Sequence, residues 1–304
     1  MKKINSVIVI TIVLFASTAF IASAIDQTSR PVVRIKSDGS IDPASAPILR
    51  EGNKYIFTDD IFAELKIEKQ GVTIDGNGHS LIGPYDGEET LWIIGEGPDQ
   101  ELTEDFEIWT TGIDTVANQI GDYTIQNLNI KNFSIGMYLW TERNTVTKNS
   151  ISNCIVGIMI SGNNSTITKN YISNNKNGIY FGSNGPENIP SGMLISENCF
   201  VNNPNQLSGC VCEGKNVTEE IHTWDNGYKG NYWSDYSGID QNNDGIGDSP
   251  YVIDDLNMDR YPLIVESVSP PKVATQLQTW IIVGATVTLV IFIVIIIFVI
   301  RRKK

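Results

Sequence analysis

"TIQNLNIKNFSIGMYLWTERN", residues 124–144, runs without a gap into "TVTKNSISNCIVGIMISGNNS" (145–165) and "TITKNYISNNKNGIYFGSNGP" (166–186). The repeat is 21 residues each time, with Ile130, Ile151 and Ile172 in one column and Gly136, Gly157 and Gly178 in another. After each Gly the apolar residues alternate, as Met137 and Leu139, Ile158 and Ile160, Ile179 and Phe181. Alternation with a period of two is the mark of a strand, not a helix. Asn and Gly punctuate the units and supply turns. A unit this short cannot cover its own apolar face, so the units must stack. Stacked in parallel, equivalent columns lie about 4.8 Å apart. The pattern therefore predicts an all-β parallel β-helix solenoid. A leucine-rich horseshoe would need a Leu spacing that is absent.

The seven-residue insertion "PENIPSG" (186–192) lengthens the next repeat to 28, which sets Ile195, Phe200 and Asn202 opposite Ile167, Ile172 and Asn174. Asn132, Asn153, Asn174 and Asn202 share a register and are expected to form an inward amide ladder. That would hide the glycosylation sequon at Asn132; Asn163, Asn164 and Asn216 carry the same sequon in loop-like stretches and are the glycosylation candidates. Upstream, "LKIEKQGVTIDGNGHSLIG" (65–83) alternates in the same way and reads as the first rungs. Residues 84–123 break the rhythm. They hold nine acids from Asp86 to Glu107, no base, and Trp92 and Trp109. Aromatic rings with carboxylates are what a sugar cleft uses, so both Trp residues are candidate glycan contacts. A solvated acidic loop is the alternative.

The ends carry addresses. Residues 1–24 have Lys2 and Lys3, an apolar run and a final "ASA", a signal-peptide pattern. Residues 280–300, "WIIVGATVTLVIFIVIIIFVI", are long and apolar enough for one transmembrane helix, and "RRKK" (301–304) places the C-terminus in the cytoplasm. The formal net charge is −13, and residues 25–279 hold sixteen bases against thirty-five acids. Such a surface repels nucleic acid and favours cations or neutral partners. Cys154, Cys199, Cys210 and Cys212 would stand in an oxidising compartment, where a disulfide is expected and its pairing is open. Cys199 is the expected partner for one of the closely spaced pair Cys210 and Cys212.

"DQNNDGIGD" (240–248) has the ligand spacing of a calcium loop: Asp240, Asn242, Asp244, the Ile246 carbonyl and Asp248, with Tyr251 where an EF-hand places its last Glu. Water, Asp254, Asp255 or Asp259 would complete the shell. The surrounding residues 224–263 are rich in Trp and Tyr and suit a cap on the open end of a solenoid.

Together, "VTIDGNGHSLIG", the 21-residue repeats and "GNYWSDYSGIDQNNDGIGDSPYVIDDLNMDRYPL" (230–263) resemble the NosD-type β-helix proteins, including a subgroup of archaeal surface proteins. The resemblance implies a right-handed solenoid and a link to copper. Copper draws on His, Cys and Met, and this chain has two histidines, His79 and His222, and few internal methionines. Calcium is therefore the expected cofactor, with copper set aside. The expected organisation is signal peptide 1–24, β-helix 25–223 with an N-terminal cap and the insertion 84–123, calcium-loop cap 224–263, linker 264–279, membrane helix 280–300 and tail 301–304. On the rungs Asp75, Glu142, Arg143, Lys148 and Lys169 form no recurrent pair of carboxylates, and His79 reads as a turn residue. Binding of glycans or other cell-envelope polymers is thus expected over catalysis. A polysaccharide lyase or hydrolase and a passive envelope component are the alternatives.

Overall fold

Ile125, Val146 and Ile167 are each the central residue of a three-residue strand, buried while the Thr and Gln beside them are half-exposed. They pair in parallel register, one per rung, in a seven-stranded sheet that continues to Tyr55 and Ile74 below and Ile195 above. Leu81, Ile130, Ile151, Ile172, Phe200 and Trp233 make the matching column of a six-stranded sheet. An eight-stranded sheet completes the wall, with longer strands such as Ile135–Leu139 and Val156–Ile160. The chain visits the three sheets in turn, and the inward residues of all three form one core. This is the parallel β-helix, all-β among the described residues: 31–84, 110–115, 121–182, 189–209 and 220–266, with the backbone of 211–212 and 215–216, of a computed structural model. The signal-peptide and membrane segments lie outside them. Among the described residues no helix is long and apolar enough to cross a membrane.

The Gly column is steric. A β-carbon at Gly157 would sit 2.6 Å from the Gly178 carbonyl oxygen, and one at Gly136 would sit 2.5 Å from that of Gly157. The rungs close up at this corner only because no side chain intervenes. Antiparallel pairs finish the N-terminal end, Ile41–Asp42 on Val32–Ile35 and Ile48–Glu51 on Lys54–Phe57.

Amide ladders exist, but not at the expected residues: one lies four residues earlier and a second one residue later. Asn132, Asn153, Asn174 and Asn202 have φ between 54° and 63° and lie at the surface or half-buried. They turn the corner in the left-handed conformation that Asn tolerates better than most residues. The inward amides are Asn149, Asn170, Asn198 and Asn231 at a neighbouring corner. The Oδ1 of Asn170 accepts the backbone N–H and the Nδ2 of Asn149, both at 3.0 Å; Asn198 does the same for Asn170, and Asn231 for Asn198. Each Nδ2 also reaches a carbonyl of an adjacent strand, from Ile125 to Ile195. Asn175 and Asn203 begin a second ladder with Cys154 as its lower member. Asn163 and Asn164 are half-buried and exposed, respectively; Asn163 Oδ1 accepts the Ser191 N–H.

The disulfide expectation is corrected for two of the four cysteines. Cys154 and Cys199 are both buried, neither of them in a disulfide. Burial pushes the Cys154 thiol up to about 12. The side chains of Cys210 and Cys212 lie outside the described residues.

Candidate functional site

Strand alternation puts Met137 and Leu139 in the core and turns Tyr138 outward. The outward residues of the eight-stranded sheet form a row in register: Asp114, Tyr138, Met159, Tyr180 and Ser208, with Lys66 one rung below Asp114. Ile135, Ile155, Val156 and Tyr180 make a second buried cluster separate from the core, and Tyr138 and Met159 pack on it. Trp140 stacks on Tyr138 with ring centroids 4.1 Å apart. An outer sheet face that is apolar and aromatic departs from the usual polar exterior of a solenoid.

Asp114 Oδ1 is buried on this face without a hydrogen-bond partner, and Ser161 Oγ lies within hydrogen-bonding reach of the Tyr138 phenol. Ser161 follows the strand Val156–Ile160, and a β-carbon at Gly182 would lie 2.8 Å from Ser161 Oγ and 3.0 Å from Met159 Cε, so hydroxyl and thioether are neighbours. Lys66 Nζ stands 4.0 Å from Asp114 Oδ2. Burial raises the Asp114 carboxyl above its ordinary range and pushes Tyr138 up to about 12, so the phenol remains a donor. Buried polar atoms are nearly always paired, and those left open mark a place where something else supplies the bond. Residues 85–109, with Trp92 and Trp109, lie outside the described residues; Pro84 and Thr110 anchor them, and Thr110 leads directly into the Asp114 strand.

Other sequence candidates fall elsewhere. Asp75 accepts Lys54 Nζ at 2.8 Å, Gln126 Nε2, Asn127 Nδ2 and the Asn77 N–H. Those donors outweigh burial and hold its carboxyl far below the usual range. It ties rungs together. Arg143 pairs with Asp122 across a rung through two hydrogen bonds. Lys148 and Lys169 turn corners at positive φ. His222 stacks on Phe181 at 4.8 Å; Gly209 is the next residue of that column and has no side chain to offer. Both ring nitrogens are buried and unpartnered, and burial lowers the imidazole to about 4. It is a neutral plug.

In the 240–248 loop the carboxylates accept the loop's own N–H groups. Asp240 takes those of Asp244 and Gly245, Asp244 that of Ile246, and Asp248 that of Gln241; the Asn242 side chain bonds Asp244 in both directions. Asp254 is occupied by Asn257 and the Leu256 N–H, and Asp259 is buried at the end of the amide ladder. Among the described residues, three metal-ligating side chains converge within 4.8 Å only at Asp59, Asp60 and His79. The loop's side-chain oxygens thus form Asx turns that hold its backbone in shape.

Residues 103–238 match the family described as "Periplasmic copper-binding protein (NosD)". The probable ABC transporter binding protein NosD of Stutzerimonas stutzeri is 40% identical over 83 residues, 26% of this chain and 17% of that protein. Its counterpart from Pseudomonas aeruginosa is 34% identical over 91 residues, 29% of this chain and 19% of that protein. The chain spans less than a fifth of the length of these curated relatives. The family description names copper, which overturns the expectation of calcium with copper set aside. Counting His and Met along the sequence missed that Asp59, Asp60 and His79 meet between two parallel neighbouring segments, an N and O donor set of the kind Cu(II) accepts. Over residues 103–238 the chain is similar to the NosD-type β-helix family.

Proposed function

We propose that the chain is an extracytoplasmic binding protein whose outer eight-stranded face recognises glycan of the cell envelope. The observation that carries this is the half-exposed aromatic pair Tyr138 and Trp140, stacked on an apolar outer face that also holds the partly exposed carboxylate of Asp114. Sugars offer hydroxyls to a carboxylate and apolar ring faces to aromatics. The row from Asp114 to Ser208 holds one carboxylate, whereas glycoside hydrolysis uses two, so recognition fits better than cleavage. In this proposal Trp92 and Trp109, which lie outside the described residues, are further glycan contacts, residues 1–24 export the chain, and residues 280–300 hold it on a membrane. The test is binding of the full-length chain to a panel of envelope polysaccharides. Tyr138→Ala and Trp140→Ala are each expected to weaken the best binder about tenfold, roughly 1.4 kcal/mol, with melting temperatures close to the parent. Unchanged binding by both variants would refute the assignment of this face.

The family description favours a second reading, copper held by His79 with Asp59 and Asp60. His79 Nδ1 lies 3.7 Å from Asp60 Oδ1, and both carboxylates are exposed to incoming metal. Titration of the full-length chain with Cu(II), followed by electron paramagnetic resonance, should give a nitrogen-ligated signal that His79→Ala removes. A signal surviving in His79→Ala places the metal elsewhere.

A further inference from the structure

We infer that the ligand of the outer face is a linear, uncharged, 1,4-linked polysaccharide lying along the solenoid axis, with about one sugar ring to each rung. This rests on the glycan reading above and adds the orientation and chemical class. Orientation follows from register. Asp114, Tyr138, Met159, Tyr180 and Ser208 are contributed one per rung and paired Cα to Cα. Successive rungs are about 4.8 Å apart, so the row extends roughly 19 Å along the axis. The extended repeat of a 1,4-linked pyranose chain is close to that rung spacing. A chain laid along the axis meets one residue of the row at every ring; laid across the strands, it would leave the row after one or two rings.

Charge follows from the cations. The basic groups at the lower end of the row are committed, Lys66 towards Asp114 at 4.0 Å and Arg34 towards Glu68 at 3.7 Å. Above them the row offers a phenol, a thioether, a second phenol and a hydroxyl. The Asp114 carboxyl, 23% exposed on this face, repels an anion. Tyr138 with Trp140 gives an aromatic platform midway. Tyr180, at 5% exposure, backs the face and offers it little contact area.

The experiment is calorimetric titration of the full-length chain with neutral 1,4-linked gluco-oligosaccharides of increasing length and with a matched 1,4-linked oligouronate series. Affinity should rise roughly two- to tenfold per added ring until the oligosaccharide covers the five residues of the row, then level off. The uronates should bind at least tenfold more weakly. Tyr138→Ala should flatten the length dependence as well as weaken binding. A disaccharide as strong as the longest chain, or uronates binding tighter than neutral sugars, overturns the inference and leaves the glycan site standing. No binding by either series, together with no polysaccharide from the panel, removes the site itself.

Discussion

Trp233→Ala should destabilise the chain by about 3–5 kcal/mol, the range for truncating a buried aromatic. Trp233 is the last member of the Leu81-to-Phe200 column, stacked on Phe200 at 4.5 Å with planes 5° apart. Tyr251 stacks on its other face at 4.4 Å and 7°. Three parallel rings thus carry the core out of the last rung and into the cap, where Trp224 packs beside them at 6.1 Å. The indole also donates to Asp259 Oδ2 at 2.9 Å. That carboxylate accepts the Asn231 N–H at 2.6 Å and the Tyr261 N–H at 3.0 Å, while its burial moves it up to about 6 against those donors. Removing Trp233 therefore opens a cavity at the end of the core and takes one donor from a buried acid. Urea unfolding of the variant against Tyr228→Ala, whose ring is 79% exposed, separates this from a general loss of aromatic surface. The Tyr228 variant should stay within about 0.5 kcal/mol of the parent. If Trp233→Ala does the same, the aromatic stack is not what closes the solenoid.

The cap and the rungs were legible to different depths. Translation by one rung preserves every contact, so columns of Ile and Gly repeating each 21 residues were enough to identify stacked parallel strands. The same repetition concealed which Asn points inward. Asn174 is followed by Asn175 and Asn202 by Asn203, and only the first of each pair has the positive φ that turns the corner. Period-two alternation holds along a strand and fails at such a turn. The outer row was visible in part, since Tyr138, Met159 and Tyr180 repeat at the rung spacing. Asp114 was not, because the longer link to the next strand puts it 24 residues before Tyr138. At 240–248 the spacing of oxygen-bearing residues marked a tight loop, and the structure adds that these oxygens accept the loop's own N–H groups. The Asp59, Asp60 and His79 cluster joins residues twenty apart, and neither stretch carries a metal motif alone.

The second large effect is expected at the corrected ladder. Asn170→Ala should cost about 3 kcal/mol, whereas Asn174→Gly should cost under about 1 kcal/mol. Asn170 is fully buried, and its Oδ1 is the acceptor for the Asn149 N–H and Nδ2. Its Nδ2 donates to Val146 O, Thr168 O and Asn198 Oδ1. Alanine removes both roles at once and leaves the Asn149 N–H buried without an acceptor, a penalty of roughly 1–3 kcal/mol before the cavity is counted. The loss reaches both neighbouring rungs, because Asn149 and Asn198 are each held in rotamer by the same amide. Asn174 is exposed with φ of 55°, a conformation glycine adopts at no steric cost, so only backbone freedom in the unfolded chain changes. Asn170→Asp is the sharper control. It keeps the acceptor and the shape but loses the donors, and it buries a charge next to Asn198 Oδ1, so its loss should grow as pH rises through the carboxyl titration. Equal urea midpoints for Asn170→Ala and Asn174→Gly would show that the buried amides fill space without holding the rungs together.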